Sequence, residues 1–254
     1  MQVETILGRH NPFLTHLRKL ASSRAYRVSS GEYLCEGTKM LEEALRWHAP
    51  ICSIAYAQSV TLPPVPEGIR VVCMPDELLQ SVSTMQAPQG VSFTVELPQN
   101  ELPRILDGKH YLVLDGLQDP GNVGTILRTA DAFSCDGVFL LNDCADVYAP
   151  KTARATMGAI FRQKINFCSV NDLTNLLQRS RIPLYATALR EDTVQITKLD
   201  LSAAAVAIGS EGKGLSREVL DRAEQTILIP MSERCESLNA GVAASIVLWE
   251  MYRR

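Results

Sequence analysis

The sequence is poor in the residues from which metal centres and disulfide frameworks are built. Its four histidines (His10, His16, His48 and His110) form no H-x-x-x-H pair. Its seven cysteines (35, 52, 73, 135, 144, 168 and 235) are odd in number, irregularly spaced and without a C-x-x-C pair. That excludes a disulfide scaffold and a zinc site, and it implies reduced thiols and no metal partner. The chain also lacks a long apolar run. The longest uncharged apolar-rich stretch, Leu201–Ser210, is far short of the roughly 20 residues that span a bilayer. The opening MQVETILGRHNPF has no charged-then-apolar leader pattern. These absences point to a cytoplasmic protein with no membrane partner. No internal repeat and no low-complexity tract is present.

What remains is an ordinary globular composition, 46% apolar and 21% charged over 254 residues. The net charge of −3 rules out a uniformly basic nucleic-acid binder. The basic residues are nevertheless unevenly placed. Residues 1–40 hold Arg9, Arg18, Lys19, Arg24, Arg27 and Lys39 against Glu4, Glu32 and Glu36, and 151–164 hold Lys151, Arg154, Arg162 and Lys164 with no acid. Such patches suit RNA contact by one face, or simply solvated helix faces.

The chain changes character near 85–108. Prolines at 88, 98 and 103 within Ala87–Lys109 read as the end of a small N-terminal domain and a linker. Before it, Asn11–Ser22 reads as a helix opened by Asn-Pro, with Phe13, Leu14, Leu17 and Leu20 at helical spacing. Gly37–Trp47 reads as a second helix, and Tyr33–Leu34, Ile51–Tyr56 and Val71–Met74 as strands. After it, near-continuous apolar runs at Tyr111–Leu114, Gly137–Leu141, Leu184–Thr187, Ala203–Ile208 and Thr226–Ile229 alternate with helical stretches. A last helix runs from about Asn239 to Tyr252. Apolar runs of this kind are the mark of parallel strands buried on both faces.

Three strand-to-helix turns carry polar groups. In the first, Leu114–Phe133, a helix is expected to begin near Asn122, with Asn122 as its cap. Val123, Ile126, Leu127 and Ala130 form the core stripe, and Arg128 is left free to face the C-terminal edge of the sheet, where open α/β sheets bind ligands. The second is Ile208–Leu215, whose glycines at 209, 212 and 214 fit neither a phosphate loop nor a dinucleotide fingerprint. The third runs from Ile229-Pro-Met to Ser237–Ala244, with Ser237 or Asn239 as the cap of the last helix.

In this order, N-V-G-x-x-x-R-T-A (Asn122–Ala130), G-S-E-G-x-G-L (Gly209–Leu215) and I-P-M (Ile229–Met231) followed by S-L-N-x-x-x-A (Ser237–Ala243) resemble the motifs of the SpoU/TrmH family of RNA ribose 2′-O-methyltransferases, in the SPOUT superfamily. Lys151–Ala159 is similar to a further family segment, K-x-x-R-A-S-M-G-A, with Thr156 in place of serine. The resemblance implies an α/β fold with a knotted (trefoil) parallel-sheet domain at 106–254. It also implies a small α/β RNA substrate-binding domain, similar to a ribosomal protein, at 1–105. It further implies S-adenosylmethionine as cofactor, RNA as substrate and a homodimer. Carried over by position, Asn122, Arg128, Glu211, Ser237 and Asn239 are the polar active-site positions. Thr187, Ala188, Gly209, Ile229, Met231 and Leu238 line the cofactor site. Arg9, Arg18, Lys19, Arg24, Arg27, Arg154 and Arg162 are the expected RNA contacts, Arg162 and Lys164 being placed alternatively at the dimer surface.

The implied chemistry is a direct displacement of the methyl group by the ribose oxygen. No histidine lies in the motifs. A guanidinium stays protonated, so Arg128 is expected to bind phosphate or the developing alkoxide. Asn122 and Asn239 would orient the ribose, and Glu211 would hold Arg128 or accept the proton. Ribosomal RNA is the first expected target and tRNA the second, in a housekeeping or an antibiotic-resistance role. The rivals are a base-nitrogen methyltransferase, base attack by Cys235 and an RNA-binding relative without activity. A nicotinamide dehydrogenase is disfavoured by the failed fingerprints.

Overall fold

The computed structural model describes residues 3–232, 234–235 and 237–254. It divides into two compact units, one of Met1–Gln99 with Asp146–Phe161, the other of Asn100–Ala145 with Arg162–Arg254. Elements are numbered along the chain.

The first unit is a five-stranded sheet in the order β1-β4-β3-β5-β2. Its strands are β1 (Val3–Thr5), β2 (Glu32–Glu36), β3 (Ile51–Ala57), β4 (Arg70–Met74) and β5 (Val91–Glu96). β4 pairs in parallel with β1 and β3, and β5 pairs antiparallel with β2 and β3. α1 (Pro12–Ser22) starts as its sequence requires. The Asn11 side chain accepts from the Phe13 N–H at 2.8 Å, Pro12 takes the first turn, and Phe13, Leu14, Leu17 and Leu20 are buried. The remaining helices are α2 (Arg24–Ser30), α3 (Thr38–Arg46), α4 (Asp76–Gln80) and, from the later segment, α6 (Pro150–Ala155). β5 refines the reading of Ala87–Lys109 as a domain end and linker: the strand closes the N-terminal segment of the first unit, and the boundary follows at Gln99–Asn100. The first five residues of β5 are buried, and the Ser53 and Thr94 hydroxyls meet across it at 2.8 Å. Pro88 and Pro98 bracket this strand.

The second unit is a seven-stranded sheet, all parallel, in the order β10-β12-β9-β11-β6-β7-β8. Its strands are β6 (His110–Asp115), β7 (Gly137–Leu141), β8 (Ile165–Phe167), β9 (Leu184–Thr187), β10 (Val194–Gln195), β11 (Ala204–Gly209) and β12 (Gln225–Leu228). β6, β7 and β11 are almost wholly buried, which is what apolar runs in a parallel sheet require. On one face Tyr111, Val113, Phe139 and Leu141 pack with Leu173, Leu176 and Leu177 of α7 (Val170–Ser180). The intervening residues Leu112, Leu114, Val138 and Leu140, equally buried, point to the opposite face. α5 (Pro120–Ala132), α8 (Arg217–Arg222) and α9 (Ala240–Tyr252) complete the unit. The strand order reverses between β6 and β11. Turns at the C-terminal ends of β6, β9, β11 and β12 therefore converge on one edge, the place where open parallel sheets form ligand crevices. No helix of the described residues is long and apolar enough to cross a membrane.

Candidate active site

α5 begins earlier than its sequence suggested. Asp119 is the cap, accepting from the Asn122 N–H at 2.7 Å, and Pro120 takes the first turn. This corrects the assignment of Asn122 as cap and has a chemical consequence, because the Asn122 side chain is released from the helix end. Val123, Ile126, Leu127 and Ala130 are fully buried. Arg128 is exposed, with no hydrogen-bond or ion-pair partner among the described residues.

Asn239 caps α9, its Oδ1 accepting from the N–H groups of Gly241 at 2.9 Å and Val242 at 3.3 Å. Those donors fix which way the amide faces, since only oxygen can accept from them. Asn239 Nδ2 is thereby turned outward and donates to Asn122 Oδ1 at 3.1 Å. Asn122, accepting with its oxygen, presents its own Nδ2 to Glu211 Oε1 and donates to it. One directional chain, from the N-terminus of α9 to the Glu211 carboxylate, thus joins the three motif segments. Each bond polarises the next.

Glu211 sits in a tight return after β11. The Ser210 N–H donates to the Gly214 carbonyl at 3.1 Å and the Gly214 N–H to the Ser210 carbonyl at 2.8 Å. Gly209 makes the return possible, because a Cβ there would collide with the backbone of Gly214 and Leu215. Among the described residues Glu211 takes Asn122 as its partner, so the expected Glu211–Arg128 contact is not made.

Beside this chain lies a cavity of about 570 Å³. Thr187, Ala188, Ile229, Met231 and Leu238, all expected for the cofactor, line it together with Ser237. Gly209 does not line it; its place is within its own loop. Leu189, Ile227, Leu228, Ser232, Cys235 and Ala243 also line the cavity and were missed. Ile227 and Leu228 read only as strand interior, and Leu189 gave no signal beyond following Ala188. The exposed Cys235 thiol donates to the Ser237 carbonyl at 3.0 Å. Other thiols are poor nucleophiles: burial pushes Cys135 and Cys168 up to about 12.

The expected RNA contacts separate into three kinds. Arg9 and Arg24 are exposed, without partners among the described residues, and Lys19 lies over the Tyr26 ring at 5.3 Å. Arg18 donates to Ser81 Oγ at 3.0 Å, Arg154 faces the buried Glu36 carboxylate at 3.6 Å, and Arg162 grips Asp131 through Nε and Nη2, the shortest bond 2.6 Å. Arg27 is a correction. Its side chain is only 5% exposed and donates to the Leu20 carbonyl and, at 2.6 Å, to Asp146, so it is a buried tie and not a phosphate contact. Among the described residues no group of His, Cys, Asp or Glu is placed to hold a metal ion.

Residues 109–249 match the model of the SpoU rRNA Methylase family. The chain belongs to that family. Residues 11–92 match the MRM3-like substrate binding domain. A relative from Bacillus subtilis, the 23S rRNA (guanosine(2553)-2′-O)-methyltransferase RlmP, is 27% identical over 92% of this chain and 93% of its own. The AdoMet-bound rRNA methyltransferase from Sinorhizobium meliloti superposes with a TM-score of 0.86 at 27% identity, covering 100% of this chain and 98% of that one. The SpoU methyltransferase AviRb from Streptomyces viridochromogenes, in complex with AdoMet, gives 0.87 at 26% identity, over 96% and 98%.

Proposed function

We propose that this SpoU-family chain transfers a methyl group from S-adenosylmethionine to a ribose 2′-hydroxyl of RNA, with ribosomal RNA as target. The observation that carries the reading is the Asn239–Asn122–Glu211 chain, which gathers three separated motifs, the third of which lines the cavity through Ser237, Leu238 and Ala243.

The cavity fits the cofactor in kind. Its volume lies in the range of small-molecule sites, Ile227, Ile229 and Leu238 give it apolar walls for an adenine ring, and Ser232 and Ser237 add polar groups. Thr187, Ala188, Ile229, Met231 and Leu238 are the residues assigned to hold it, Gly209 shaping the neighbouring loop instead. When bound, S-adenosylmethionine supplies a methyl group activated by its sulfonium.

The chain's own residues then have three tasks. Asn122 and Asn239 each keep one amide hydrogen unspent, and those hydrogens orient the ribose oxygen. Glu211 keeps a free carboxylate oxygen to receive the hydroxyl proton. Arg128, permanently charged, stabilises the developing alkoxide or the adjoining phosphate. Ser237 borders the cavity, two residues before Asn239.

Residues 1–105 are assigned to substrate binding and 106–254 to methyl transfer. Arg9, Lys19 and Arg24, with Arg18, are the phosphate contacts, Arg154 and Arg162 being partly spent on carboxylates. A trefoil knot in 106–254 is supported by the sheet order: β11 and β12 lie on opposite sides of β9, so the chain crosses β9 twice after leaving it. A homodimer is supported by α9, which is apolar apart from Ser245 and Glu250. Val242, Ile246, Trp249 and Tyr252 are exposed on it, and a helix so largely apolar is normally covered. The cytoplasm suits an enzyme of cellular RNA.

The test is calorimetric binding of S-adenosylmethionine, joined to 2′-O-methyl maps of rRNA and tRNA from cells with and without the gene. Binding and loss of one rRNA site are expected. No binding and no lost site would overturn the reading; a lost tRNA site would move the target. Full activity of Cys235→Ala disposes of base attack by that thiol.

A further inference from the structure

Asp115 ends β6, in register with Leu141 at the end of β7 and Gly209 at the end of β11. It is only 2% exposed, and no cation is paired with it among the described residues. Its two oxygens are occupied separately. Oδ1 accepts from Asn142 Nδ2 at 2.7 Å, and Oδ2 accepts from the Ser216 N–H at 2.6 Å. A buried carboxylate held only by neutral donors is unfavourable. The same junction holds further unfavourable features. Asn142 and Asp143 both have left-handed backbones, with φ of 47° and 53°. The return from Gly209 folds so closely that no side chain is tolerated there. Backbone strain concentrated in one place is a pointer to function.

What this junction fixes is the loop that carries Glu211. Ser210 and Gly214 are bonded to each other, Leu215 is buried, and Ser216 starts α8 as its cap. Asp115 grips the exit of that loop at Ser216 and, through Asn142, ties it to the end of β7. The loop's entry at Gly209 is already held in the sheet beside Asp115. Both ends of the loop, Gly209 through its sheet pairing and Ser216 through its N–H, are thus anchored on the same residue of β6, and Glu211 is carried between them.

We infer that Asp115 is a positioning residue for methyl transfer, a latch that holds Glu211 at hydrogen-bonding distance from Asn122. The inference rests on the role proposed for Glu211. The latch is directional and therefore exchangeable. Asp115→Asn, its oxygen kept on the Ser216 N–H, turns an amide nitrogen toward Asn142 Nδ2, which also donates to Ser216 Oγ at 3.4 Å and would lose that bond on flipping. Adding Asn142→Asp restores a donor opposite an acceptor, with Ser216 N–H still accepted by the residue at 115.

The experiment measures kcat, the KM for S-adenosylmethionine and Tm for the full chain, on ribosomal RNA from cells lacking the gene. Asp115→Asn is expected to lower kcat by about 10- to 100-fold, the order that a displacement of about 1 Å produces, with the cofactor KM little changed. Asp115→Asn with Asn142→Asp is expected to recover most of that loss. In a Glu211→Gln background, Asp115→Asn is expected to add no further loss, because both changes remove one contribution. Wild-type kcat in Asp115→Asn, a fall in Tm alone, an unrecovered exchange variant or additive losses with Glu211→Gln would each overturn the latch. Wild-type kcat in Glu211→Gln would overturn the role of Glu211 itself, and the latch with it.

Discussion

Asn239 donates to Asn122 at 3.1 Å across 117 residues of sequence, and the same Asn239 oxygen caps α9. One side chain thus does two jobs that substitution can separate. Asn239→Asp keeps an acceptor for the cap but loses the donor to Asn122. Its Tm is expected to stay near wild type while methyl transfer falls by about tenfold or more, the order of losing one oriented hydrogen bond in a transition state. Asn239→Ala is expected to lose both, with about 1 kcal/mol of stability gone with the cap. Thermal unfolding and turnover of the two variants check this; equal turnover in Asn239→Asp and wild type would detach the bond from catalysis.

Arg128 is exposed and unpaired among the described residues, so its removal leaves no buried partner behind. Arg128→Lys keeps the charge and loses the planar fork. It is expected to lower kcat about tenfold or more with cofactor binding unchanged, the order found for a lost transition-state donor. Single-turnover kinetics with calorimetric binding tests it, and unaltered turnover would remove Arg128 from the mechanism.

Glu250, 6% exposed, accepts from Arg253 at 2.6 Å and 2.7 Å and from Arg254 at 2.6 Å, and Arg254 also donates to the Thr197 carbonyl at 3.0 Å. The Arg253 hydrogen bonds, ahead of those from Arg254, hold its carboxyl below the usual glutamate value. A depressed carboxyl in the folded state means stability that is present above the unfolded pKa and lost as pH falls through the folded one. Unfolding measured between neutral and acid pH should therefore show a smaller acid-linked loss for Glu250→Gln than for wild type. Parallel pH curves would contradict this clamp.

The aromatic strip on α9 supports the pairing of two copies. Trp249 and Tyr252 are half exposed, each 5.6 Å from Phe133. Ile246→Glu and Trp249→Glu are expected to yield monomers in sedimentation experiments, whereas an exposed change on α1 such as Lys19→Glu leaves the mass unchanged. A wild-type chain that sediments as a monomer would exclude the dimer.

Much of this architecture was written locally. Gly137–Leu141 and Leu184–Thr187 are strands over the residues their apolar runs mark, and Asn11-Pro12 opens α1 because both residues act within one turn. The elements that escaped notice depend on distant partners or are short. β1, β8 and β10 are two or three residues at or near sheet edges, too brief to show a period. β5 was hidden by Pro88 and Pro98, and its buried Thr94 belongs inside because Ser53 supplies a partner. Asn122 looked like a cap because the motif begins there, whereas Asp119 with Pro120 is the stronger start. Arg27 resembles an RNA contact in the sequence because the residue that holds it, Asp146, lies 119 residues on. The motif residues were legible as a set. Their linkage through one directional hydrogen-bond chain was not, since it depends on which way two amides face.

The most direct test uses the purified chain, S-adenosylmethionine labelled in its methyl group, and ribosomal RNA from cells lacking the gene. After alkaline hydrolysis the label should reside in a single alkali-resistant dinucleotide, as a 2′-O-methyl ribose, and should be lost with Arg128→Ala. Label recovered on a base, or no label above that of Arg128→Ala, would contradict the account.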